Sequence, residues 1–99
     1  MKRDRLFELI HEIGQGKRQE YYVLSKVADV VDCSKVFAHR WLSHFVLKGV
    51  VSMVAVKYRN TTMHYYCAPH NCGWLRRHLV DVLGKELVGY VHRSQVYEL

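Results

Sequence analysis

The sequence predicts a small α+β fold, with helices first, then a β-hairpin, then a closing helix. Three observations predict it. Apolar residues recur at helical spacing through residues 3–13 and again through 35–48. Two β-prone runs, VVSMVAVKY (50–58) and TMHYYC (62–67), flank the polar stretch RNTT. A final apolar stripe, Leu75, Leu79, Val82, Leu83, Leu87, Tyr90 and Val91, returns to the helical period.

The elements follow in order. Leu6, Leu9, Ile10 and Ile13 form the inward stripe of a first helix over 3–13, broadened by Phe7 and stopped at Gly14. GQGKRQE (14–20) is the only linker-like stretch. YYVL (21–24) is short and aromatic, as a brief strand would be. Ser25 is placed to cap a helix over 26–31, with Val27, Ala28, Val30 and Val31 as its buried side. DCS (32–34) breaks it, and Ser34 caps the next helix, 35–48. That helix buries Ala38, Trp41, Leu42, Phe45 and Val46 and ends at Gly49. After the hairpin, which turns at Asn60, Pro69 marks the exit and Asn71 caps the last helix. Gly84 and Gly89 oppose helix, so a kink or break is expected near Gly84.

A chain of 99 residues, 49% hydrophobic and 24% charged, has room for one modest core. It contains no apolar run of membrane-spanning length, and charges of both signs interrupt its first residues, so a cytoplasmic protein is expected. The net charge of +6 favours polyanionic partners such as nucleic acid. No Ser/His/Asp order, phosphate-cradling glycine loop or H-E-x-x-H array is present, and Asp29 and Asp32 have no apolar pocket around them. No enzymatic activity and no cofactor are expected.

LSKVADVVDCSKVFAHRWLSHFVLKGVV (24–51) followed at once by a hairpin resembles the winged helix-turn-helix superfamily, in its prokaryotic and archaeal transcription-regulator form, with an additional C-terminal helix. The likeness covers residues 5–70 and departs from many members in having no glycine in the turn DCS. It implies a winged-helix DNA-binding domain over 1–70, with 71–99 as a C-terminal helix packed on the same domain. The function implied is sequence-specific double-stranded DNA binding by a small dimeric transcription regulator. Helix 35–48 would read the major groove and the 57–62 wing would touch backbone or minor groove. With Ala38, Leu42 and Phe45 turned inward, Ser34, Lys35, Val36, His39, Arg40 and Ser43 are the candidate DNA contacts of the helix. Lys57, Arg59, Asn60 and Thr61 are those of the wing. Phe37 fits either the core edge or a thymine methyl. The alternative is a winged-helix module that binds protein in a larger complex, which Val36 and Phe37 favour.

Cys67, His70 and Cys72 form a C-x2-H-x-C array whose donors suit zinc, yet zinc sites pair two close donors with a second close pair, which is missing here. A Cys67–Cys72 disulfide is a second possibility. Ordinary half-buried thiols beside a turn histidine are preferred to both, and no metal is expected. Cys33, in the turn, reads as a small apolar residue. A winged helix of this size spans little duplex, so a homodimer is expected, formed through Leu79, Val82, Leu83, Leu87 and Tyr90.

Overall fold

Leu6, Leu9, Ile10 and Ile13 all lie on the buried side of the first helix, α1 (Lys2–Gly14), as their spacing requires. The computed structural model describes residues 2–58, 61–83, 87–92 and 95–98, with the backbone alone at 57, 58, 61, 80, 83, 87–92 and 95–98. After α1 come β1 (Tyr22–Val23), α2 (Leu24–Val31), α3 (Lys35–Leu47), β2 (Ser52–Tyr58) and β3 (Thr61–Cys67). A single 3-10 turn (Pro69–Asn71) leads into α4 (Cys72–Leu83), and β4 (Leu87–His92) and β5 (Gln95–Glu98) follow. The architecture is α+β: among the described residues, four α-helices and an antiparallel sheet in the order β1-β3-β2-β4-β5. Among the described residues no helix is long and apolar enough to cross a membrane.

Strand pairing sets the two layers. Met53 stands opposite Tyr66 and Val54 opposite Tyr65, so alternate side chains point to opposite faces of the sheet. One face carries Tyr22, Tyr66 and Met53 into a core with Leu6, Ile10, Val27, Val31, Ala38, Leu42, Phe45 and Val51. The other carries Val54, Val56, Tyr65 and Cys67 against Cys72, Leu75 and Leu79 of α4. The sheet is therefore covered by α1–α3 on one side and by α4 on the other.

The turn between α2 and α3 resolves the missing glycine. Asp32 itself takes the left-handed conformation (φ 61°, ψ 54°), and the Cys33 amide donates to the Ala28 carbonyl at 3.0 Å. Asp and Asn are the non-glycine residues that tolerate this conformation best. At the end of α3 the same role falls to Gly49 (φ 78°), after which the Val50 amide reaches back to Phe45 O at 3.0 Å. Val50 also closes on α1: a Cβ on Gly14 would overlap the Val50 carbonyl oxygen.

Four expectations need correction. Helix α2 starts at Leu24, with Val23 at its N-cap and no side-chain cap, so Ser25 lies inside the first turn; Val30, expected inside, is 36% exposed. Asn71 belongs to the 3-10 turn, its amide bonded to Ala68 O at 2.9 Å, and does not cap α4 directly. The C-terminal helix expected over 71–99 ends at Leu83, and Leu87–His92 and Gln95–Glu98 form two strands that extend the sheet from β2. LVGYVH and QVYE are rich in β-branched and aromatic residues, and the open edge of β2 offers a ladder that a helix interrupted by Gly84 and Gly89 does not.

Candidate nucleic-acid interface

Helix α3 begins with Ser34, whose Oγ accepts the Phe37 amide at 3.1 Å. This cap fixes where the helix starts and which way it rolls. Ala38, Leu42, Phe45 and Val46 are then buried, and Phe37 and Trp41 pack half-buried along the same core. Phe37 thus belongs to the core edge. Phe7 of α1 meets Trp41 edge to face at 4.8 Å and Phe45 at 5.1 Å, clamping the inner side of α3.

The outer side carries the expected residues in different environments. Ser34, Lys35 and Arg40 are exposed and Val36 is 81% exposed, while Ser43 is half-buried. The Arg40 guanidinium lies 5.7 Å from the centroid of the Trp41 ring, which limits its wandering while leaving its donors outward. His39 is not a free surface residue. Its ring meets that of His64, on β3, at 5.0 Å. Further along, Leu47 is 76% exposed, so the outer side carries the exposed aliphatics Val36 and Leu47 beside the cations Lys35 and Arg40.

Strand β3 brings a second group of residues to the start of α3. Val23, Leu24 and Ser25, Lys35, and Thr62, Met63 and His64 line one cleft of about 250 Å³. Burial, and then the neighbouring His39, push the His64 imidazole below its ordinary titration range, which favours its neutral form. His64 was not anticipated as part of this surface. It stands 25 positions from His39, and only the β2–β3 register and the turn at Asp32 bring the two rings together. Of the wing candidates, Arg59 and Asn60 lie outside the described residues, and Lys57 and Thr61 are placed by their backbones alone, as members of β2 and β3.

The cysteine region does not assemble a metal site among the described residues. Cys67 and Cys72 are buried thiols joined by a hydrogen bond; that bond, with burial behind it, drives the Cys67 thiol strongly upward. His70 is exposed, with its ring beside Gly16. Cys33 is half-buried at the core edge, and burial raises its thiol too. Among the dimerisation candidates, Leu79 is 3% exposed and packs within its own chain, so it is withdrawn from that role. Val82 is 64% exposed. The side chains of Leu83, Leu87 and Tyr90 lie outside the described residues.

Comparison of the chain with protein-family models, with curated proteins and with solved structures returns no match in any of the three.

Proposed function

We propose that the chain is a winged-helix protein that binds double-stranded DNA, with α3 entering the major groove, and that it acts as a small dimeric transcription regulator. The observation that carries this reading is the side of α3 left open: Lys35 and Arg40 exposed on a helix whose opposite side is held by Ala38, Leu42 and Phe45. The element order supports it. A three-helix layer, a tight turn before α3, a hairpin after it and β1 joined to the hairpin through β3 form the scaffold on which a helix is presented to duplex. The amides of Lys35 and Val36, ahead of the capped Phe37, have no i−4 carbonyl within the helix and suit a phosphate oxygen. Arg40 suits a guanine edge, and the net charge of +6 supplies long-range attraction.

A second reading is favoured by Val36 and Leu47, exposed aliphatics on the same helix. They suit a protein partner better than a polyanion, and make the chain an assembly module of a larger complex.

Salt-titrated duplex binding decides between them. For about four phosphate contacts, affinity is expected to fall on the order of 10²-fold between 50 and 200 mM salt. Arg40→Ala is expected to lose about tenfold and to flatten the preference among sequences. Affinity that ignores salt would sink the DNA reading.

A further inference from the structure

We propose that the cleft between the start of α2, the start of α3 and strand β3 is a phosphate site, and that it takes up a proton on His64 as it fills. Its natural occupant is a phosphodiester of the nucleic-acid backbone. That choice of source rests on the DNA reading above, while the phosphate chemistry rests on the cleft.

The polar part of the lining is suited to an anion. Lys35 brings a fixed positive charge, Ser25 and Thr62 bring hydroxyl donors, and His64 brings an imidazole, beside the apolar Val23, Leu24 and Met63; among the described residues no carboxylate lines the cleft. At about 250 Å³ it holds a phosphate group with water around it. Behind His64 stands His39, 5.0 Å away between ring centroids. Among the described residues, the other elements around His64 add no neutralising carboxylate at the cleft. On β2 the cross-strand neighbour of His64 is Ala55, and Lys57 stands opposite Thr62. On α2, Lys26 and Asp29 are exposed and do not line the cleft. β1 contributes Val23.

Partial burial, and then the neighbouring His39, oppose charge on the His64 imidazole. An anion seated against Lys35 and His64 opposes both effects. Binding then draws a proton from solution, so affinity rises as pH falls. The site would strengthen the hold on backbone phosphate without reading sequence.

The test uses the full chain in two arms. In the first, inorganic phosphate is titrated at pH 6 and pH 8 while amide and imidazole resonances are followed. Shifts are expected at Ser25, Lys35 and Thr62, larger at pH 6, with the His64 titration midpoint moving upward. In the second, a random-sequence duplex is bound at fixed ionic strength from pH 6 to pH 8. Wild-type affinity is expected to be about tenfold higher at pH 6, the size of a one-unit change in a single titration. His64→Gln, which keeps a hydrogen-bonding amide without the charge, is expected to match wild type at pH 8 and to lose that tenfold gain. Lys35→Gln, at an exposed position, is expected to weaken phosphate at both pH values. Phosphate that moves none of the three residues at pH 6 overturns the site, whatever the duplex does. Phosphate shifts without duplex binding keep the site and overturn nucleic acid as its source. Duplex binding whose pH dependence survives His64→Gln overturns the proton uptake.

Discussion

The two faces of the sheet are closed by different means. On one, three helices bury themselves against each other as well as against the strands, and rings from α1 and α3 interlock through Phe7, Trp41 and Phe45. On the other, α4 is the one helix among the described residues that covers Val54, Val56 and Cys67, with Tyr21, Tyr65, Trp74 and His78 crowded at its rim. The first face distributes its burial over many elements and so leaves one side of α3 unneeded for stability. The second depends on one helix, whose inner residues Leu75 and Leu79 are committed to packing. The difference teaches where a surface is available: beside the face with helices to spare.

The largest expected effects test whether the two faces form one cooperative unit. Leu42→Ala on the three-helix side and Leu75→Ala on the α4 side each truncate a fully buried leucine. Each is expected to cost about 3 kcal/mol. Both are expected to lower one shared thermal transition followed by circular dichroism. An early, separate transition in Leu75→Ala would break the comparison and make α4 an independent cover.

A smaller effect sharpens it. Among the described residues each face buries one hydroxyl without a hydrogen-bond partner, Tyr66 toward the three helices and Ser52 toward α4. Burial pushes the Tyr66 phenol far above its usual range, as expected for a hydroxyl removed from water. Tyr66→Phe and Ser52→Ala are each expected to stabilise the fold by about 1 kcal/mol. Chemical denaturation checks this, and a loss of stability would mean the hydroxyl is satisfied.

The smallest effect is in pH. The folded state holds His64 below its ordinary value of 6.5, so the unfolded chain binds more protons in the window between the two values. Stability therefore rises with pH through that window and is lost as pH falls below about 6.5. The melting midpoint is expected to decline from pH 7.5 to 5.5, and less steeply in His64→Gln. Identical slopes would remove His64 as a contributor.

Much of this was legible in the residues. The stripes of α1 and α3 are set by repeats of three and four, and the structure buries Leu6, Leu9, Ile10, Ile13, Ala38, Leu42, Phe45 and Val46 as those repeats imply. Ser34 as a cap and the two strands of the hairpin follow from equally local chemistry. What escaped depends on distance. The stripe from Leu75 to Val91 fits a helix on periodicity alone. Only an open strand edge on β2, 29 to 38 positions away in the chain, makes 87–92 a strand. Asp32 gave no warning that it would occupy a left-handed conformation in place of glycine. The cleft was equally invisible, since Ser25, Lys35 and His64 meet only after β1 pairs with β3.

The closeness of Gly14 to the Val50 carbonyl has an evolutionary corollary. Nothing bulkier than a hydrogen fits between these two backbones, so descent with this architecture leaves position 14 a vocabulary of one letter. Homologous chains, once aligned, should vary freely at the neighbouring Gln15 and hardly at all at Gly14.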